Sequence, residues 1–504
     1  MSQRTFRVLC MALLAIVVGQ GTFLSALAQV PNDETALRTI IERYFAAYAS
    51  KDVDAMVRLW SDKSPNLEQT TTRLKEFFSL NKQIETRYLT FGQWKTATEH
   101  ATAPVTLMVS AIDEQTNEPA LGGGKQSHTL SFVKEAGEWK IWRDVTAEEE
   151  LAEELAVAQS DEARQALLIA NKELANVKLR RALVAQGIAL RVKGNYQQAL
   201  AVFDLARKHA EDIDDKEGIG DAWNQSSYIH FLQSKFDKAL EGYEKGLVQC
   251  DASGQKNCIA RSLQGIGTTH LYKGNVSLAL EFYQKELAQC QEVPDGKACV
   301  GSALGDIGNA HLQKGEYERA IEYYRNSLVI AEEFGNKGNT ATAFERIALA
   351  YSRQDKHVEA LENYQKSLSL LQSLGDKGRI GRVLGGMGSS YGNLGAFELA
   401  LDNLQRSLAI RKELGDKLGL AVTLENLGWL HLKRSDYASA MIFFEQSLAA
   451  SEAIPFKNGI AASLNGIGIV HNRQGNFTLA LHYYKRALEL AETQQQRATI
   501  DHAQ

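Results

Sequence analysis

The sequence predicts a mainly α fold, an α-solenoid preceded by a small α+β cone domain. Three observations carry this. A small–alanine–large pattern recurs eight times at nearly constant spacing, the apolar positions around it follow the helical period, and a strand-like grammar is confined to residues 34–146.

Each repeat is anchored by an alanine: Ala199, Ala239, Ala279, Ala320, Ala360, Ala400, Ala440 and Ala480, 40 residues apart with one step of 41. Twelve positions earlier stands a slim residue: Gly187, Ser227, Gly267, Gly308, Ala348, Gly388, Gly428 and Gly468. Four positions later stands a large one: Phe203, Tyr243, Tyr283, Tyr324, Tyr364, Leu404, Phe444 and Tyr484. Slim residues let two antiparallel helices approach, and the large one fills the space left between them. Ala360, Leu361, Tyr364 and Leu368 show the three-and-four spacing of a helix rather than the period of two of a strand. Turns within each pair are expected at Gly194, Gly274, Gly315, Gly395 and Gly475, where positive φ costs glycine little. In the links Leu374–Lys377 and Leu414–Lys417, Gly closes one helix and Asp caps the next.

Over residues 179–496 these positions resemble the tetratricopeptide repeat, in the 40-residue form of kinesin-light-chain-like scaffolds. HEAT repeats lack the glycine–alanine pairing, and a propeller would need strand alternation. The resemblance implies stacked hairpins with a groove lined by the first helix of each pair, and a protein or peptide ligand rather than a reaction. By offset from the anchors, the groove residues are Tyr228, Gln264, Thr268, Asn309, Gln313, Glu345, Arg353, Ser389, Asn393, Glu425, Trp429, Lys433, Asn465 and Arg473. Trp429 is expected to be the one large exposed aromatic among them, an anchor for a partner. Chaperone-binding relatives clamp a terminal carboxylate with lysine. That place holds Val184, Asn224, Gln264, Gly305, Glu345, Gly385, Glu425 and Asn465 here, so the specificity is not carried over. His230, His270, His311, His431 and His471 recur on the first helices, with Tyr351 and Tyr391 in the same place. A spacing of roughly 10 Å between stacked helices is too wide to share one ion, so packing is the expectation. No cofactor or metal is expected. Residues 497–504 read as the stub of a ninth repeat or a tail.

Residues 1–28 read as a signal peptide: Arg4 and Arg7, an apolar run from Val8 to Val18, and Ala26-Leu27-Ala28 before Gln29. An uncleaved anchor is the alternative; either way the chain is expected to be exported, to the periplasm or outside the cell. A net charge of -5 shows no basic surplus, so nucleic acid is not an expected partner. In an exported chain, Cys250 with Cys258 and Cys290 with Cys299 read as two local disulfides across successive links, each contributing roughly 2–3 kcal/mol. A four-thiolate zinc site is the sharper alternative, without the Cys-x2-Cys spacing that zinc favours.

The segment 29–146 opens with an amphipathic helix, Ala36–Ala49, and a short one after Asp52. Strands are expected at Ile84–Leu89, Gln93–Thr98, Ala103–Ile112, Gln126–Lys134 and Glu138–Asp144. The opening helix, the phrase Lys51–Met56 and the closing Glu138–Trp142 strand resemble the nuclear-transport-factor-2-like (SnoaL-like) family, whose cone has a pocket. That resemblance makes Tyr44, Tyr48, Asp113 and His128 pocket candidates, for small-molecule binding or isomerase-type proton transfer; tyrosines packing helix on sheet are the plainer alternative. Residues 147–178, alanine-rich and charged, are expected to be a helical linker and cap. Cone, helix and repeats in this order resemble exported bacterial proteins that often add a caspase-like domain. No such domain stands in these 504 residues, which makes an accessory or truncated form of such a peptidase system the other alternative.

Overall fold

The computed structural model describes residues 33–503, apart from 115–116, 120–123, 159, 294–295 and 455–456. The expected signal segment lies outside the described residues. The chain divides into two compact units, Met1–His209 and Ala210–Gln504.

In the first unit, a helix over 33–49 buries Leu37, Ile41 and Tyr44, and Asp52 caps Val53–Val57 through the Ala55 N–H at 2.8 Å. A third helix, Leu67–Leu80, leads into the sheet. The strands are β1 (Asn81–Phe91), β2 (Lys95–Thr96), β3 (His100–Asp113), β4 (Gly124–Glu135) and β5 (Glu138–Thr146). All pairings are antiparallel, in the order β1-β3-β4-β5, with β2 joined to β3 alone. Alternation decides which face is inside. Along β3, Ala101, Ala103, Val105, Leu107, Val109 and Ala111 are buried, and they share one core with Leu37, Ile41 and Tyr44. The strand expected over Gln93–Thr98 shrinks to two residues, because Trp94 leaves the ladder to stack on Phe91 at 5.6 Å. The expected linker helix is broken in two, Ala147–Val157 and Asp161–Ala170, followed by a single 3-10 turn. Thr146 and Glu149 form a capping box that fixes where the first piece begins. That piece packs on Val177–Val192, the first helix of the first repeat, as a cap would.

The second unit is a tandem stack of hairpins, from Lys216–Leu232 with Phe236–Ser253 to Lys457–Arg473 with Phe477–Ala503. Its packing unit is a ring held between slim residues, which at Phe444 are both glycines. A Cβ added at Gly428 would lie 2.7 Å from the Phe444 ring, and one at Gly466 in the next hairpin 2.5 Å from the same ring. Tyr243 and Gly265, and Tyr364 and Gly386, repeat the contact across hairpins at 2.3 and 2.6 Å. This second glycine, fourteen positions before the following anchor, stands in only three of the eight repeats, at Gly265, Gly386 and Gly466, and so made no repeat signal in the sequence. A serine staple reinforces the packing: the hydroxyls of Ser327, Ser367, Ser407 and Ser447 donate to Gly301, Ala341, Gly381 and Ala421 carbonyls at 2.7–2.9 Å.

All five expected turn glycines have positive φ. Where glycine is absent, Ser234, Asp355 and Ser435 adopt the left-handed conformation instead, with φ of 56°, 58° and 63°. Cys250–Cys258 and Cys290–Cys299 pair as disulfides with Cα atoms 5.3 Å apart, each tying a second helix to the next first helix. No group of three or more metal-ligating side chains is found among the described residues, and none of the helices searched is long and apolar enough to cross a membrane. The last helix runs unbroken over Phe477–Ala503, and no glycine or proline interrupts it.

Candidate functional site

First helices in the second unit approach the first helices of neighbouring hairpins, which second helices do not do to the same degree. The face they share is therefore the inner side of the stack. Its polar side chains are organised across hairpins. Arg261 pairs with Asp221 one repeat earlier. The Gln264 amide donates to Asp306 at 2.7 Å and to Ser302 at 3.2 Å, and Arg346 lies 3.8 Å from Asp306. Arg382 meets Glu345 at 2.5 Å, and Lys433 donates to Asn393. Gly305 makes this geometry possible: a Cβ there would stand 2.2 Å from the Arg346 guanidinium.

The signs are layered. The carboxylates of Asp221, Asp306 and Glu345 keep only 16, 14 and 14% of their side chains exposed, against 47, 31 and 57% for Arg261, Arg346 and Arg382. Burial pushes Asp306 and Glu345 up, and their arginines pull against it. A floor of carboxylates thus carries a surface of guanidinium heads. Arg353 and Arg473, both exposed, make no hydrogen bond or ion pair among the described residues.

The other predicted groove residues fall into two groups. Tyr228, Gln313 and Asn465 are exposed. Thr268 and Asn309 instead accept hydrogen bonds from Tyr283 and Tyr324 at 3.1 and 2.9 Å, so they orient core rings; Ser389 is half-buried. Trp429 departs from expectation. Its ring packs edge-on against Phe444 at 5.2 Å and its N–H donates to Glu425 at 3.2 Å, leaving it half-buried. It belongs to the wedge beneath the face, and Tyr228, 40% exposed, is the outward aromatic of the predicted set. Asp221, Arg261, Asp306, Arg346 and Arg382 were missed. The available signal was an acid followed 40 residues later by an arginine, as in Asp221 with Arg261 and Asp306 with Arg346.

The histidines pack against rings. His270, His311, His431 and His471 stack on Phe282, Tyr323, Phe443 and Tyr483 with centroids 5.2–5.7 Å apart. His311 and His431 also bond Glu316 and Asp436 at 2.7 and 3.0 Å.

In the cone, two of the four candidates, Tyr44 and His128, converge on a residue the sequence did not single out. Tyr44 donates to Asp144 at 2.9 Å, and His128 Nδ1 meets the other Asp144 oxygen at 2.7 Å. Gln126 holds the remaining ring nitrogen at 3.1 Å, and Tyr48 packs beside Phe45 and Phe78. Burial opposes charge on His128, but Asp144 overcomes it and the imidazole pKa is raised. Burial likewise acts against the Asp144 carboxylate, yet His128 and Tyr44 hold its pKa down. Both tyrosines are pushed up, mainly by burial and then by Asp144. Asp113 takes no part: it lies eight residues along β3 from Val105, the partner of His128, or roughly 26 Å.

The tetratricopeptide repeat family model matches residues 299–373, 379–453 and 444–493. No curated protein matches the sequence. Among solved structures, the Rap conjugation gene regulator of plasmid pLS20, in complex with a Phr peptide, is 14% identical over 69% of this chain and 96% of its own, with a TM-score of 0.50. Aspartyl phosphate phosphatase F from Bacillus subtilis is 12% identical over 69% and 95%, at 0.48. A signal transduction ATPase with a tetratricopeptide repeat sensor from Pyrococcus horikoshii is 17% identical over 68% and 45%, at 0.39. Together with the repeat match, the first of these likenesses concerns the fold alone: a tetratricopeptide-type solenoid.

Proposed function

We propose that this chain is an exported, non-enzymatic scaffold that binds a polypeptide along the first-helix face of residues 210–504, favouring a ligand with acidic side chains. The layered ladder carries the reading. Guanidinium heads stand above paired carboxylates over several hairpins, and Arg353 and Arg473 add two unpaired cations. Such an extended polar surface suits a chain laid across many repeats, each supplying a few contacts. Tetratricopeptide repeats are generally interaction scaffolds, and the pLS20 regulator, which shares the helical fold, is described with a bound peptide. Arg4, Arg7 and the following apolar run, with two disulfides, support export.

The cone fits a structural role better than proton transfer. An isomerase-type site needs an acidic tyrosine beside a carboxylate base. Here Tyr44, His128 and Asp144 satisfy one another, and burial makes both tyrosines poorer acids. The order of helices and antiparallel strands supports the nuclear-transport-factor-2-like resemblance.

The test is selection of peptides from a random display library on the full mature chain, followed by affinity measurement with Arg353→Glu and Arg473→Glu. The expected outcome is acidic peptides that lose at least tenfold in affinity on either reversal, and weaken with salt. Selected peptides indifferent to both reversals would refute the face.

A further inference from the structure

The fifth and sixth hairpins depart from four of their siblings on the opposite side of the stack, the sixth carrying Tyr391 and Asn403 at the positions of Tyr351 and Asn363 in the fifth. Four hairpins place histidine nine residues before the anchor, stacked on a ring three residues after it. In the fifth, Tyr351 takes the histidine's place and Asn363 stands where the ring should be. Asn363 does not fill the space, because its amide turns back to donate to the Glu359 carbonyl at 2.8 Å. A cavity of about 310 Å³ remains. Leu328, Phe344, Ile347 and Tyr351 give it apolar and aromatic surface, with Arg325 and Lys366 among its polar lining. Its sides come from the second helices Tyr317–Glu333 and His357–Leu374, and its floor from the first helix Lys337–Arg353. The Arg325 guanidinium donates to the Tyr351 hydroxyl at 2.9 Å, which ties that ring to the cavity wall.

We infer that this cavity is an acceptor site for an aromatic side chain, tyrosine or phenylalanine, presented by a partner polypeptide. The sibling hairpins supply the template: the position left empty is one where Phe282, Tyr323, Phe443 and Tyr483 each seat a ring of their own. The volume, at the low end of small-ligand pockets, suits one ring and its linker. Lys366 already lies 5.4 Å from the Phe344 ring centre, so an incoming ring would meet a cation as well as apolar surface. The inference depends on the proposed polypeptide binding only for the source of the ring; the cavity is tested without any peptide.

Methyl-labelled full chain is titrated with p-cresol and with toluene, the side-chain analogues of tyrosine and phenylalanine. Saturable shifts are expected at the Ile347 and Leu328 methyls, with a Kd on the order of 1 mM for so small a ligand. Asn363→Tyr, which restores the missing ring, should weaken binding at least tenfold. Phe344→Leu adopts the residue of six other hairpins at this position and should also weaken it, which keeps the test decisive if the first variant folds poorly. No saturable shift in the unaltered chain, or undiminished binding by the folded variants, would overturn the site. Loss of p-cresol binding with intact peptide binding would separate this failure from failure of the first-helix face.

Discussion

The cone and the repeats solve the burial of polar groups in opposite ways. In the cone, one aspartate gathers a tyrosine and a histidine into a single buried cluster. In the repeats, polar groups are spread thinly, one serine staple or one carboxylate–arginine pair per hairpin. A concentrated network fails as a whole when one member goes, whereas a distributed one loses a single rung. The cone should therefore be brittle and the solenoid tolerant.

The largest effect is expected at the cluster. Asp144→Ala leaves His128 and Tyr44 buried without their acceptor and should cost about 3–5 kcal/mol of cone stability, read by urea unfolding of the cone signals. Gly428→Val should cost about 2–3 kcal/mol by driving a side chain into Phe444, with the loss confined to nearby hairpins in hydrogen exchange. A loss spread over all hairpins would break the distributed picture.

Two pH effects sharpen the contrast. His128 has a raised pKa, so its stabilisation is full below about 6.5 and disappears as pH rises through the folded value. Asp144 has a lowered one, so its stabilisation is present above about 3.9 and disappears as pH falls through its folded value. The cone should be most stable in mildly acid buffer, and His128→Gln should flatten the alkaline side of that profile. In the repeats, Glu286 occupies the serine-staple position of the third hairpin, buried, its pKa raised by burial and then Asp306 to about 9. Its stabilisation is full below the ordinary glutamate pKa and is lost as pH rises to about 9. Glu286→Ser restores the staple and should raise the melting temperature, more at pH 8 than at pH 5. The smallest effect is Ser435→Gly, which relieves a left-handed residue and should stabilise by about 0.5–1 kcal/mol in thermal unfolding.

The same contrast explains what was legible. A wedge repeated eight times announces itself, so the anchors, the slim partners and the turn glycines could be read from spacing alone. The Asp144 cluster is assembled once, from a helix and two strands whose His128 and Asp144 lie 84 and 100 residues beyond Tyr44, and no local pattern marks it. Trp429 was misplaced because offset assigns a helix face but not depth, and the Phe444 ring beneath draws the indole inward. The pairing of Asp306 with Arg346 spans 40 residues and shows only when positions of two adjacent repeats are set side by side.

Hydrogen–deuterium exchange of the full chain with and without a selected peptide tests binding to the first-helix face most directly. Slowed exchange is expected in Lys337–Arg353, Lys377–Asn393, Lys417–Lys433 and Lys457–Arg473, with their paired second helices unchanged. Protection of the second helices or of the cone, with the first helices unaffected, would contradict it.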